Sequence, residues 1–321
     1  MPVGAEISRS LRIRTLFLIA LLAQSAGCAR HFPVIQVTSI RASSPEELQK
    51  YLLAHKPDVA QFKSRGPFNV AERRDIEIRA AADVAVTADL YLCVAARKAP
   101  LVFILHGQDN SKDDHAFQAM HLASWGMHSI ALNLPNRGPW IANGLTLAKL
   151  VKAVRRKPDL VDARIDPDNI VLAGHSFGAT AVGAALGESA PARGGVLLDP
   201  AAIGRQLPQL LQKVAVPVMI VGADEDIRPT RNRGQFFRFI PARVGEISIR
   251  DTVHEDAQYP NQHTARFFED APEDSEEAQI AFVSALTASA FGIAATGALD
   301  YAWNSFEDGM KNGTFFNARR K

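Results

Sequence analysis

The run Leu101-Val102-Phe103-Ile104-Leu105 is apolar throughout, without the polar alternation of a half-solvated strand. Such a strand has to be buried on both faces. Shorter runs of the same kind recur at His128 to Leu132, Asn169 to Ala173, Gly195 to Leu198, Val216 to Val221 and Glu246 to Ile249. Stretches with apolar residues at helical spacing lie between them, at about 113–124, 143–156, 177–187, 204–213 and 230–238. Strand, helix, strand connections force a mostly parallel sheet with helices on both faces. The alternating runs Asp75 to Arg79 and Val84 to Val94 come first and read as an antiparallel hairpin. The expected class is α/β, and in open sheets of this kind the chemistry lies at the carboxyl ends of the strands.

Composition narrows the choice further. The chain has 321 residues, 47% of them hydrophobic and 22% charged, with two Cys, which excludes a disordered chain, a collagen and a disulfide scaffold. Its formal charge is +2, but residues 1–27 hold Arg9, Arg12 and Arg14 against Glu6, so the remainder carries equal numbers of acidic and basic residues. A neutral body offers no clustered cations for a phosphate backbone, and no nucleic-acid partner is expected.

Residues 1–27 have the form of a signal peptide: an Arg-bearing start, the apolar run Leu16 to Ala23, and small residues Ser25-Ala26-Gly27 before Cys28. Eight apolar residues are too few to span a bilayer, which takes about 20. The expectation is export. The run Ser25-Ala26-Gly27-Cys28 is similar to a bacterial lipobox, with Ser25 where Leu is usual; that resemblance implies acylation of Cys28 and a lipid anchor at the periplasmic face of the envelope, and ordinary cleavage and secretion is the alternative. Cys93, in the strand-like Leu90 to Val94, is then expected to be a small buried hydrophobe. Residues 28–70 read as a linker with a short helix starting at Ser43-Ser44-Pro45-Glu46-Glu47, 71–295 as the main domain, and 296–321 as a C-terminal helix and tail that frays around Gly313. The acidic Pro272 to Glu277 opens a helix whose Ile280, Val283, Leu286 and Thr287 are expected to face the sheet.

The segment with the most chemistry is Gly174-His175-Ser176-Phe177-Gly178, directly after the buried run Ile170 to Ala173 and before a helix-like stretch. A nucleophile on a strand-to-helix elbow takes a strained backbone conformation, and the positions two before and two after it must be very small. Gly174 and Gly178 meet that demand. At this point the chain resembles the α/β-hydrolase family over about residues 75–290, and within it lidless serine esterases related to dienelactone hydrolases, polyester hydrolases, chlorophyllases and platelet-activating-factor acetylhydrolases. The resemblance rests on Leu105-His106-Gly107-Gln108, the elbow, Leu198-Asp199-Pro200, Val221 to Asp226, and Val253-His254-Glu255-Asp256. It implies an α/β-hydrolase fold without a large cap domain and a Ser-His-Asp triad that needs no cofactor.

A serine hydroxyl is a weak nucleophile and needs a base, with an acid behind the base. Ser176 is the expected nucleophile, and His254, after the last strand-like run, the expected base. For the acid, Asp226 before Pro229 is similar to the acid turn of polyester hydrolases and is expected first; Asp199, at the position used by chlorophyllases, and Asp224 are the alternatives. The resemblance assigns the oxyanion donors to the backbone N–H groups of Gln108 and Phe177, with Gly107 making the tight turn beside them. His175 is expected to point away on the elbow, and His106 to support the oxyanion loop. His115 and His121 lack a carboxylate partner at zinc-site spacing, so no metal is expected.

Only about 16 residues separate Asp199 from Val216, too few for a helical cap, so an open site is expected. Openness favours small or polymer-borne esters, with Trp140, Ile141 and Phe236-Phe237 as candidates for the pocket wall. The expected activity is carboxylic ester hydrolysis through an acyl-enzyme. The alternatives are a serine peptidase or acyltransferase on the same fold, or a catalytically inactive surface lipoprotein that acts as a binding module.

Overall fold

The structure is a computed structural model, and it describes residues 35–135, 138–226, 232–241, 243–260 and 276–321. Residues 1–34, with the expected signal peptide and Cys28, lie outside them, as do Pro229 and the acidic Pro272 to Ser275.

Nine strands form one sheet in the order β1-β2-β4-β3-β5-β6-β7-β8-β9. The hairpin at its edge is β1 (Val70–Ala81) with β2 (Val84–Cys93), and β2 also pairs antiparallel with β4 (His128–Asn133). From β4 the sheet is parallel through β3 (Ala99–Leu105), β5 (Ile165–His175), β6 (Gly194–Leu198), β7 (Val218–Gly222) and β8 (Val244–Ile249). Every residue of β6, β7 and β8 is buried; β6 and β7 are uninterrupted apolar runs, while β8 also buries Glu246 and Ser248.

Helices α1 (Pro45–Ala54), α2 (Ala116–Ser124), α3 (Trp140–Arg156), α4 (Phe177–Gly187), α5 (Leu207–Leu211), α6 (Gly234–Phe239), α7 (Glu276–Thr296), α8 (Asp300–Ser305) and α9 (Glu307–Asn312) complete the order. Between β6 and β7 only α5 intervenes, so no cap domain is inserted there. Helix α7 is long and apolar enough to cross a membrane by length and composition, yet it is a core helix, with Val283, Leu286 and Thr287 buried against the sheet. Its hydroxyls are accommodated because Ser284, Thr287 and Ser289 each donate to the carbonyl four residues back, at 2.7 Å.

Two boundaries differ from those read off the sequence. The segment expected as a linker packs with the rest, and Ile35–Lys321 form one compact unit. Ser44 caps α1, and Leu48, Leu52 and Phe62 are at most 1% exposed, so this segment buries apolar surface that a linker would leave in water. The tail expected to fray instead ends in β9 (Phe315–Arg320), antiparallel to β8, after a left-handed turn at Gly313. Phe315 is buried against Phe306, which gives the strand its anchor.

Candidate active site

The elbow forms where β5 ends and α4 begins. Ser176 has φ 54° and ψ −125°, outside the regions favoured by L residues, and is held there by its own N–H donating to Leu198 O and its carbonyl accepting from Ala201 N, each at 3.1 Å. The flanking glycines are required by contact. A Cβ on Gly174 would lie 2.6 Å from Gly178 O, and one on Gly178 would lie 2.6 Å from Leu105 O. Gly107 passes equally close to the nucleophile, since a Cβ there would stand 2.8 Å from Ser176 Cβ.

The two residues expected to supply oxyanion donors come from two elements. Phe177 is the first residue of α4, so its N–H has no carbonyl one turn back to bond. Gln108 follows the exit of β3, and its side-chain oxygen accepts from Trp140 Nε1 at 3.3 Å. The loop after Gln108 is tied down by Lys112, whose buried ammonium lies 2.9 Å from Asp89 of β2 and 2.9 Å from Asp75. His106 sits beneath the loop, bonded to Gly107 O at 2.7 Å, and accepts from Leu134 N–H; burial holds it below the usual histidine range.

His254 begins a short 3₁₀ turn (His254–Ala257) beyond β8. The structure corrects the expected acid. His254 Nδ1 lies 2.6 Å from Asp199 Oδ2, whereas Asp226 accepts from the backbone N–H of Arg233 at 3.1 Å, ahead of α6. Asp224 is a loop ligand, accepting from Asp251 N–H at 2.7 Å. The reason is placement: Asp199 directly follows β6, which pairs with the strand leading into Ser176, and it takes φ 33° there. Burial opposes ionisation of Asp199, yet the hydrogen bond and charge of His254, the guanidinium of Arg233 and the Ala223 N–H hold its carboxyl below the usual range. An ionised Asp199 accepts, so Nδ1 of His254 donates in this contact, which leaves Nε2 as the ring nitrogen turned away from the carboxylate. Among the described residues no hydrogen bond joins Ser176 Oγ to His254, a contact that often closes only when substrate binds.

His175 does not point away. Its ring lies 4.4 Å from that of His254, and its Nε2 donates to His254 O at 3.1 Å. Burial, with His254 and His115 beside it, pushes its pKa well down and keeps it neutral. Neither this contact nor Arg233 had a signal in the sequence, because neither belongs to a motif.

A cleft of about 480 Å³ opens beside Gly107 and Gln108, lined further by Asp109, Asn110, Ser111, Asn133 and Trp140. Trp140 is a wall of it but only 3% exposed. Phe236 is wholly buried in the core rather than in this wall. A larger cavity, about 560 Å³, lies between the Asp58 to Lys63 segment, the end of β8, α7 and α9; neither it nor the cleft is lined by Ser176, His254 or Asp199, but the cleft adjoins Ser176 through Gly107. The described residues hold no group of three His, Cys, Asp or Glu side chains that could bind a metal; His115 is bonded to Gln118 and His121 to Phe62 O.

No curated protein gives a significant match to the chain. A family model does: the one described as the alpha/beta hydrolase family matches residues 101–308, from β3 into α9 and across the elbow, the Asp199 turn and the His254 loop. With that match over most of the chain, on a mostly parallel sheet flanked by helices, the protein belongs to the alpha/beta hydrolase family.

Proposed function

We propose that the protein is a serine hydrolase that cleaves carboxylic esters through an acyl-enzyme, with Ser176 as nucleophile, His254 as base and Asp199 as the acid that orients it. The observation that carries this reading is the short His254 to Asp199 contact, with Asp199 fully buried, next to a serine in a strained elbow. His254 Nε2 takes the proton of Ser176 Oγ as that oxygen attacks the ester carbonyl. The new negative charge is received by the N–H groups of Phe177 and Gln108. Collapse of the tetrahedral adduct breaks the ester bond, and His254 returns the proton to the departing alcohol. Water then repeats the sequence on the acyl-enzyme and frees the acid and Ser176.

The cleft beside Gln108 has hydrogen-bonding side chains over much of its wall. It suits small or polymer-borne esters with polar groups near the scissile bond better than a long alkyl chain. From the sequence, the protein is further proposed to be exported and anchored through acylated Cys28; the intact mass of membrane-extracted protein tests this, and a mass without acyl groups rules it out.

Labelling by a fluorophosphonate, with peptide mapping, tests the chemistry. The expected result is one labelled residue, Ser176, and none in Ser176→Ala. A folded protein that takes no label would instead fit the binding-module reading.

A further inference from the structure

A second cationic side chain reaches the acid from behind. Arg233 is buried at the N-cap of α6; its Nη1 donates to Asp199 Oδ1 at 2.5 Å and to Ala223 O at 3.0 Å, and its Nη2 to Ser248 Oγ at 3.0 Å. Asp199 thus bonds His254 through one oxygen and Arg233, with Ala223 N–H, through the other. The room for the guanidinium comes from Gly222, where any Cβ would overlap it. Its charge is balanced by Glu246 of β8, whose Oε1 lies 3.7 Å from Arg233 Nε and whose Oε2 accepts from Arg319 of β9 at 2.6 and 2.9 Å. Burying a guanidinium is unfavourable unless it is paired and its donors are used, and here three acceptors and a counter-charge converge on one.

We propose that Arg233 is a positioning residue of the hydrolytic site, fixing the Asp199 carboxylate toward His254 and opposing, by its charge, the positive charge that His254 acquires during catalysis. The proposal rests on the reading of Ser176, His254 and Asp199 given above. A carboxylate with one oxygen held by two N–H donors cannot rotate, so its other oxygen stays aimed at Nδ1. A guanidinium is always charged, so the effect is constant over the working pH range. The described titratable groups facing His254 are Asp199 and the neutral His175, with His115 beyond it; those facing Arg233 are Asp199, Glu246, Asp226, which accepts from its backbone N–H, and, through Glu246, Arg319. Removing the positive charge of Arg233 favours protonated His254, so the acid limb of the pH profile moves to higher pH. Removing the negative charge of Glu246 moves it the other way.

The experiment is the rate of fluorophosphonate labelling of Ser176 against pH for the full chain, as wild type, Arg233→Gln, Arg233→Lys and Glu246→Gln, each shown to be folded by its thermal melt. Arg233→Gln is expected to label about 10²-fold more slowly, with its acid limb raised by about one pH unit. Arg233→Lys keeps the limb near wild type while still slowing the reaction, and Glu246→Gln lowers the limb. Slower variants whose limbs all coincide with wild type would overturn the proposal, since a merely structural support would act that way, and so would a folded Arg233→Gln that labels like wild type. If Arg233→Gln does not fold, the limbs of the other two variants decide. A wild type that takes no label at Ser176 overturns the triad reading itself, whereas a labelled wild type with unmoved limbs sinks only the role of Arg233.

Discussion

Asp199 and Asp226 are the same chemical group after similar apolar runs, and what separates them is the company each keeps. Asp199 is wholly buried between His254 and Arg233, while Asp226 sits ahead of α6 and accepts from a backbone N–H. Asp199→Asn should therefore lower turnover on the order of 10⁴, because the amide can no longer hold the His254 tautomer. Asp226→Asn should cost about 1 kcal/mol of stability or less, since it weakens one loop hydrogen bond, and leave the chemistry in place. Turnover and thermal melts of the two variants check both; a larger loss in the Asp226 variant would return the acid to the position first expected. The elbow was legible because its demands are local: strand, strained serine, two glycines and helix are contiguous. The carboxylate that pairs with His254 was not, because Asp199 and His254 are 55 residues apart and each local pattern admits a carboxylate.

The strand β9 shows the same limit for an element. Phe315 to Arg320 has two aromatic residues followed by mostly polar ones, and only the first is buried, so its hydrophobic period is too weak to reveal a strand. What makes it one is the open edge of β8, whose backbone groups it satisfies. Phe315→Ala should lower stability by about 3–5 kcal/mol, the usual range for emptying a buried aromatic site, as read from denaturant unfolding. A loss under about 1 kcal/mol would mean that β9 is held by its backbone pairing alone. Helix α7 was legible in outline from its apolar positions, but that it is a core helix follows from the sheet it covers.

Several buried histidines give the protein as a whole a dependence on acid. Burial pushes His115, His121 and His128 down to about 4 and His175 well below the usual range. In the unfolded chain they return to about 6.5, so below that pH the unfolded state binds more protons than the native one. These histidines should leave stability unchanged between about pH 6.5 and 8 and lower it as pH drops toward 4, each contributing a slope of up to about 1.4 kcal/mol per pH unit. Asp199, held low, loses its own contribution only at lower pH, below the ordinary carboxylate range. Urea unfolding at about pH 5 and 7.5 checks this, and equal stabilities would show that these side chains are not neutral in the native state. Strand and helix periods, the hairpin, the elbow and its glycines all lie in the order of residues, because each depends on neighbours within one or two elements. The pairing of His254 with Asp199, the guanidinium behind it, the contact of His175 with His254 and the last strand were decided by the tertiary structure. Each of these depends on which strand ends lie side by side, and on electrostatics between groups that only the closed sheet brings together.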